Sequence, residues 1–219
     1  AGAQIRLCTP EGYGARDARM ASIAEELRDG GARPYVIPEG GSNALGAMGY
    51  VEAARELVEQ TREQPPTSVV VATGSGGTLA GLALGLREAG LEIPTIGMAV
   101  CDDQPTFEGI ASRIAEEAKE RFGLQRYAPD RCVVMDRYQG RGYALSTAQE
   151  LRLLKDAAME DGLIFDPVYT IKAWGGLLDL ARHGDPRLGS RPLFIHTGGL
   201  FGMMAASEQL APLLGRGAA

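Results

Sequence analysis

Short apolar runs alternate with segments of helical periodicity along almost the whole chain. Apolar runs of strand length predict β-strands, and apolar positions three and four residues apart predict helices. The predicted strands are residues 4–8, 34–37, 68–72, 95–100, 132–135 and 192–196. The predicted helices are residues 16–28, 44–62, 78–89, 106–122, 146–160 and 169–182, with one more near the C-terminus. This alternation predicts an α/β fold with an open, mostly parallel sheet and helices on both faces.

Polar residues mark the start of two of these helices. Ser42 or Asn43 is the expected N-cap of the helix that begins at residue 44, and a capping role alone would explain both side chains. Ser146 is the expected N-cap of the helix at residues 146–160, with Gln149 placed for a capping box.

The composition narrows the class of protein. The 219 residues include 45% hydrophobic and 23% charged residues, which is typical of a globular protein. The net charge of −6 and the lack of a basic stripe argue against a nucleic-acid-binding protein. No apolar run approaches the length of a membrane span, and no signal peptide opens the chain. The three cysteines are widely spaced and odd in number, so we expect neither a disulfide framework nor a zinc site, and a reducing cytoplasm is the simplest setting. Two histidines leave little for a histidine-based metal site.

A glycine-rich loop joins the strand predicted at residues 68–72 to the helix that follows it. The backbone N–H groups of such a loop, together with a helix N-terminus, form an anion site the size of one phosphate. The alternative is a tight turn whose glycines only permit close packing. The candidate phosphate-binding residues are Gly74, Ser75, Gly76, Gly77 and Thr78.

Neither of the two best-known phosphate-loop patterns fits this segment. The dinucleotide fingerprint fails because Leu79 stands where its third glycine should be. The nucleoside-triphosphate loop fails because Gly81 is followed by Leu82 and Ala83 rather than by Lys and Ser or Thr. The loop therefore predicts a site for a single phosphate group.

Three further segments accompany the loop along the chain. They read P-E-G-G-S-N-A-L-G at residues 38–46, D-P-V-Y-T-I-K-A at residues 166–173 and I-H-T-G-G at residues 195–199. Together, the four segments resemble the D-cysteine desulfhydrase and 1-aminocyclopropane-1-carboxylate deaminase family, from residue 1 almost to the C-terminus. The resemblance implies pyridoxal 5'-phosphate as the cofactor and the tryptophan synthase β-like fold (fold type II) without its N-terminal part.

The resemblance also implies a role for each matching residue. The glycine loop would bind the cofactor phosphate, and Thr197 would hydrogen-bond to the pyridine nitrogen. Tyr143 and Tyr169 would be catalytic tyrosines that steer the substrate or move a proton near Cα, although Tyr143 could also be an ordinary surface tyrosine. The residues expected to bind substrate are Ser42, Asn43 and Thr170.

Two threonines favour the desulfhydrase branch of the family. The deaminases resemble one another in having Glu at the position of Thr170 and Leu at the position of Thr197. The implied reaction is therefore α,β-elimination from a small, sulfur-containing amino acid. Ile171 and Trp174 replace smaller side chains of the family, so they either reshape the substrate pocket or face the packing side of their helix. A deaminase, a β-replacement enzyme and an L-cysteate lyase remain alternatives.

The family's Schiff-base lysine has no counterpart in this chain. Of the three lysines, Lys119 and Lys155 lie in charged helices, and Lys172 lies where the family has a lysine that is not the anchor. The matching segments imply that residues 1–33 end the family's smaller domain and that residues 34–219 form most of the larger one.

We therefore expect a second polypeptide to supply the N-terminal third and the lysine. It would be a separate subunit or the other half of a cleaved precursor, and the whole would form a further oligomer. The alternative is a non-catalytic subunit that keeps the fold without the lysine chemistry.

Overall fold

The structure is a computed structural model that describes residues 2–125 and 131–212. The helices in these ranges are α1 (Pro10–Tyr13), α2 (Arg16–Asp29), α3 (Ala44–Gln60), α4 (Gly77–Glu88), α5 (Gln104–Phe122), α6 (Ala148–Asp161), α7 (Thr170–Arg182), α8 (Leu200–Ala205) and α9 (Ser207–Leu210). The strands are β1 (Ser68–Thr73), β2 (Thr95–Ala99), β3 (Cys132–Met135) and β4 (Pro192–Ile195).

The four strands form one sheet in the order β3-β2-β1-β4, and each neighbouring pair is parallel. Val69 pairs with Thr95 of β2, and Val71 pairs with Ile195 of β4. Parallel neighbours need crossover connections, and the helices between successive strands provide them. The α/β fold with a parallel sheet is therefore confirmed.

Helices cover both faces of the sheet, as predicted. Side chains alternate along β1, so Val69 and Val71 pack with residues of α3, α4 and α5 on one face. Val70 and Ala72 pack on the other face with residues of α7. All six residues of β1 are buried, which accounts for the continuous apolar run in the sequence.

Two glycines bring α4 close to α3. A Cβ added at Gly85 would lie 2.7 Å from Val51 Cα and 2.7 Å from Ala54 Cβ, and one added at Gly81 would lie 2.6 Å from Tyr50 Cβ. Only glycine leaves room for this approach. This close contact between the two helices places the N-terminus of α4 beside the start of α3.

The strands predicted at residues 4–8 and 34–37 are absent, and that prediction was wrong. Both segments lie outside the helices and strands, and the side chains of Ile5 and Tyr35 are 82% and 70% exposed. An alternating sequence favours extended backbone, but a strand forms only when its N–H and C=O groups find a partner strand. Residues 2–41 offer none.

The helix caps differ in part from the sequence prediction. Asn43, not Ser42, caps α3, since its side chain accepts a hydrogen bond from the Gly46 N–H at 2.8 Å. Thr147, not Ser146, caps α6, and Glu150 completes the capping box. The Ser146 hydroxyl instead donates to the carbonyl of Pro167.

The chain forms two compact units, one ending at Gly41 and the other beginning at Ser42. In the first unit, Glu39 accepts a hydrogen bond from the Tyr13 hydroxyl and forms an ion pair with Arg16 at 2.8 Å. The second unit contains the sheet. The assignment of residues 1–33 and 34–219 to two domains of a complete enzyme stays a prediction.

Candidate active site

The glycine loop, residues 74–78, connects the end of β1 to the start of α4 and is called the phosphate loop below. Gly76 is the N-cap of α4 and has left-handed backbone at φ 83°. A side-chain cap would bind the N–H groups of the second and third helical residues, Thr78 and Leu79. Because glycine has no side chain, these two groups can bind an anion, which the helix dipole also favours.

Ser42 completes the phosphate loop from the start of α3. Its hydroxyl donates to the Ser75 hydroxyl at 2.8 Å and accepts from the Gly77 N–H at 3.1 Å. The side chain is partly buried. Ser42, predicted to bind substrate, thus orients a hydroxyl of the phosphate loop in this structure.

The glycines of the loop also have packing reasons. A Cβ at Gly77 would lie 2.6 Å from Ser42 Oγ, and one at Gly76 would lie 2.7 Å from Ile110 Cγ2. A Cβ at Gly74 would lie 2.8 Å from Cε1 of Tyr169. Close packing, the alternative explanation for these glycines, therefore applies to all three. The loop nevertheless keeps an uncapped helix N-terminus, which close packing does not require.

The two predicted tyrosines lie together beside this loop. The Tyr143 and Tyr169 hydroxyl oxygens are 2.5 Å apart, and the rings meet edge to face with centroids 5.7 Å apart. Burial, and then the hydrogen bond with Tyr143, raise the pKa of Tyr169 above its ordinary value. The phenol therefore stays protonated at neutral pH and can donate a proton or a hydrogen bond. Tyr143 is 53% exposed.

Asp166 fixes the backbone that carries Tyr169. Its carboxylate is 1% exposed and accepts hydrogen bonds from the N–H groups of Val168, Tyr169 and Thr170 at 2.8–2.9 Å. The Thr170 hydroxyl donates to the same carboxylate at 2.6 Å and accepts from the Asp166 N–H at 2.8 Å. Four donors therefore compensate one buried charge at the start of α7.

Thr170 and Asn43 have their polar groups engaged inside the protein. Thr170 is fully buried, and its hydroxyl is used as donor and acceptor by Asp166, so it supports Tyr169 rather than facing solvent. The Asn43 side-chain oxygen caps α3. Contacts of either residue with a substrate stay predictions.

Thr197 lies on the exposed loop between β4 and α8, at the same edge of the sheet as the phosphate loop. Ile195 pairs with Val71, so Thr197, two residues further on, is level with Thr73 at the end of β1. The same loop packs on Asp166, because a Cβ at Gly199 would lie 2.5 Å from the Asp166 side chain. Its role at a pyridine nitrogen stays a prediction.

Lys172 does not present a free amine. Its ammonium donates to the backbone carbonyls of Gln139 and Gly142 at 2.6 and 2.5 Å, and the side chain is 2% exposed. Burial lowers the pKa of Lys172, while the charge of Glu150 acts in the opposite direction. In this position the lysine holds loop backbone rather than reaching toward the phosphate loop.

Ile171 and Trp174 both face the packing side of α7. Ile171 is fully buried in a cluster with Leu151 and Leu154, and the Trp174 ring stacks on Phe165 at 5.3 Å between centroids. Their large side chains fill the core between α6, α7 and β4. The structure thus favours the packing explanation over a reshaped pocket.

Two residues of the site received no role from the sequence. Asp166 accepts from the N–H groups two and three residues further on, the pattern of an Asx turn, which Asp residues favour. Lys172 is a single cation among the buried positions Ile171, Ala173 and Leu177. Each pattern could have indicated a structural side chain, but neither indicates its partner.

Metal chemistry and membrane insertion find no support in the residues described. Across residues 2–125 and 131–212, no group of three His, Cys, Asp or Glu side chains is arranged to hold a metal ion. In the same ranges, none of the helices has the length and apolar character needed to cross a lipid bilayer.

Comparisons with known proteins show the family of the chain. Residues 1–198 match the family described as "Pyridoxal-phosphate dependent enzyme". The chain is 39% identical to a bifunctional D-cysteine desulfhydrase/1-aminocyclopropane-1-carboxylate deaminase of Arabidopsis thaliana over 98% of its length. It is 36% identical to a D-cysteine desulfhydrase of Serratia proteamaculans over 95% of its length.

A solved structure described as an ACC deaminase homologue has the same fold. It superimposes with a TM-score of 0.81 at 36% identity, over 96% of this chain and 62% of the other. The chain spans 54% of the length of the Arabidopsis relative and 62% of the Serratia relative.

Proposed function

The chain belongs to the pyridoxal-phosphate dependent enzyme family, and on that premise we propose that it is part of a carbon–sulfur lyase. The reaction is α,β-elimination on a small, sulfur-containing amino acid, in the manner of a D-cysteine desulfhydrase. The observation that carries the proposal is the packing of the Tyr169 ring against Gly74 of the phosphate loop, with the Tyr169 hydroxyl hydrogen-bonded to that of Tyr143. An anion site and two phenol hydroxyls would then act on one bound molecule.

The donors at the sheet edge fit the phosphate end of the cofactor. The N–H groups of Thr78 and Leu79 and the hydroxyls of Ser75 and Thr78 would hold the phosphate, and Thr197 would meet the pyridine nitrogen. When bound, the cofactor withdraws electron density from the Cα of the attached amino acid. A hydroxyl at the pyridine nitrogen, unlike a carboxylate, leaves that nitrogen largely unprotonated, which favours elimination of a β-substituent.

The tyrosine pair would donate hydrogen bonds and protons during the elimination. Elimination breaks the Cα–H and Cβ–S bonds, and the departing sulfur needs a proton at neutral pH. Because its pKa is raised, Tyr169 stays protonated and would donate a hydrogen bond to the departing sulfur, while Tyr143 lies within hydrogen-bond distance of it. With D-cysteine and water as reactants, the products are pyruvate, ammonia and sulfide.

Product analysis tests the reaction class. We expect the holoenzyme complex to release sulfide and pyruvate from D-cysteine, with much slower formation of 2-oxobutanoate from 1-aminocyclopropane-1-carboxylate. Tyr169→Phe should lower kcat by about a hundredfold, the usual contribution of one positioned proton donor. Release of 2-oxobutanoate as the main product would identify a deaminase, and pyruvate from L-cysteate with none from D-cysteine would identify an L-cysteate lyase.

The anchoring lysine is proposed to come from a second polypeptide. Lys172 is engaged with loop carbonyls, and Lys119 pairs with Glu116 on the surface of α5. On α8, Leu200 and Phe201 are 56% and 83% exposed, and β4 ends the described sheet with one edge open. Apolar side chains and an open strand edge of this kind support a partner that covers them.

Denaturing electrophoresis and intact mass of the purified protein test the second chain. We expect a companion polypeptide that carries the cofactor on a lysine. Recovery of a folded, cofactor-loaded 23.2 kDa chain alone, or of one longer polypeptide, would rule out that part of the proposal.

A non-catalytic subunit is the second candidate. The observation that favours it is that the Lys172 ammonium binds loop carbonyls and does not serve as the cofactor's anchor. It predicts a complex that lacks the visible absorbance of lysine-bound cofactor. The lyase predicts that this absorbance is present and is lost when the protein is treated with borohydride. The cytoplasmic location expected from the cysteines stays a prediction.

A further inference from the structure

Lys172 binds the backbone of the loop that carries Tyr143. This loop, residues 139–145, is called the tyrosine loop below. Its ammonium donates at 2.6 Å to the Gln139 carbonyl and at 2.5 Å to the Gly142 carbonyl, and the Leu145 carbonyl lies at 3.5 Å. An ammonium has three donors, and the three carbonyls that accept from it all belong to this loop. The carbonyls bracket Tyr143 on both sides along the chain.

The tyrosine loop has a backbone that needs such support. Gly140 and Gly142 have φ of 64° and 114°, and Ala144 has φ of 56°. Left-handed backbone costs a residue with a Cβ free energy, and in residues 2–125 and 131–212 Ala144 is the only non-glycine residue with positive φ. The carbonyls of residues 139, 142 and 145 converge on the Lys172 ammonium, and they would repel one another without a cation between them.

The same lysine belongs to the helix that positions Tyr169. Lys172 lies one turn beyond Tyr169, the N-cap residue of α7, so both sides of the tyrosine pair connect to one helix start. A buried ammonium is costly unless it is compensated, and here three carbonyls and the nearby charge of Glu150 compensate it. An apolar side chain would pack there at lower cost but could not hold the tyrosine loop.

We propose that Lys172 is a positioning residue whose ammonium holds the tyrosine loop so that the Tyr143 hydroxyl meets the Tyr169 hydroxyl. The inference rests on the proposed function only in the catalytic use of the pair. The clamp itself can be measured on the protein whether or not it turns over substrate.

Trypsin reports on the tyrosine loop directly, because Arg141 lies within it and is exposed. In the holo complex, Lys172→Met should speed cleavage after Arg141 by about tenfold, as expected when a loop loses its hydrogen bonds. Lys119→Met removes a lysine from a surface ion pair on α5 and should leave this cleavage unchanged. Equal cleavage in the two variants would overturn the proposal.

A double-mutant cycle on kcat distinguishes positioning from general stabilisation. Tyr143→Phe and Lys172→Met should each lower kcat by about tenfold, with little change in KM, and the double variant should lose no more than either alone. Losses that multiply would show that Lys172 acts on the rest of the fold and would contradict the proposal. If wild type shows no lyase turnover, the proposed function fails, while the cleavage result still decides on the clamp.

Acylation of the native protein tests the clamp even if Lys172→Met does not fold. The chain has three lysines, and we expect Lys172 to react with an amine-directed acylating reagent at least about tenfold more slowly than Lys119. Gly142→Ala strains the loop at φ 114° without a steric clash, since the nearest atom to the added Cβ lies at 3.9 Å. This variant should expose Lys172 to the reagent, and continued protection would overturn the coupling.

Discussion

The phosphate loop and the tyrosine pair lie in contact, but they are held in place in different ways. The phosphate loop follows directly from the junction of β1 with α4, and the Ser42 hydroxyl adds hydrogen bonds to Ser75 and Gly77. The tyrosine pair joins residues 26 positions apart and depends on two buried charged residues, Asp166 and Lys172. One region is built by local backbone geometry, and the other by compensated charges.

This difference predicts how each region fails. A side chain added to the phosphate loop meets packed atoms and should damage cofactor binding first. Loss of a charge beneath the tyrosine pair leaves hydrogen-bond donors or acceptors without partners and should damage the fold or the proton chemistry first. Substitutions in the two regions should therefore separate cofactor affinity from stability and turnover.

Asp166→Ala should have the largest effect. It leaves three backbone N–H groups and the Thr170 hydroxyl without their acceptor inside the protein, which should lower the free energy of unfolding by about 3 kcal/mol. Urea unfolding of the purified complex measures this change. Asp156→Ala, on the exposed side of α6, should stay within about 0.5 kcal/mol of wild type. A small loss at Asp166 would mean that the loop at residues 196–199 and solvent replace its contacts.

Gly77→Ala should come next and should act on the cofactor. The added Cβ would lie 2.6 Å from Ser42 Oγ and 3.0 Å from Ser42 Cα, so the start of α3 or of α4 must shift. We expect an overpacking cost of about 2 kcal/mol, seen as about thirtyfold weaker cofactor binding in a titration of the apo complex. The cleavage rate after Arg141 should stay at the wild-type value.

Gly49→Ala is the matched control for this substitution. Gly49 lies on the exposed side of α3, and an added Cβ there would have no atom within 4 Å. Because alanine is the better helix former, this variant should gain up to about 1 kcal/mol and bind the cofactor as wild type does. Equal cofactor affinity in the two glycine variants would contradict the assignment of the phosphate loop.

The local region was the one that the sequence could predict. The apolar run of β1, the glycines and the helix that follows are neighbours along the chain, so their pattern alone indicates a strand, a turn and a helix N-terminus. The parallel sheet followed for the same reason, from the alternation of apolar runs and helical periodicity. The resemblance to a family added Tyr143, Tyr169 and Thr197, which no local pattern would have singled out.

Contacts between distant residues could not be predicted. Nothing along the chain joins Lys172 to the carbonyls of residues 139 and 142, since these become neighbours only when α7 packs on the sheet. The segments at residues 4–8 and 34–37 failed as strands for a related reason, because a strand depends on a partner that its own sequence does not specify. Ser42 was predicted as a cap or a substrate ligand, and its bond to Ser75 required the close approach of α3 and α4.

The smallest effect concerns the protonation of Tyr169. Its pKa is raised in the folded state, first by burial and then by the hydrogen bond with Tyr143, above the ordinary 10.0. At a pH between 10.0 and the raised pKa of folded Tyr169, the folded protein holds a proton that the unfolded chain has lost. The contribution of Tyr169 to the free energy of unfolding is therefore complete below about pH 10 and is lost as the pH rises further.

Urea midpoints between about pH 9 and about pH 11 measure this loss. Tyr169→Phe should make the fall in stability over this range shallower than in wild type. Tyr143→Phe should do so to a smaller degree, because burial, the larger cause of the shift, remains. If both variants keep the full wild-type fall, the hydroxyl pair does not form in solution, and the coupling of the tyrosine loop to Tyr169 would be wrong as well.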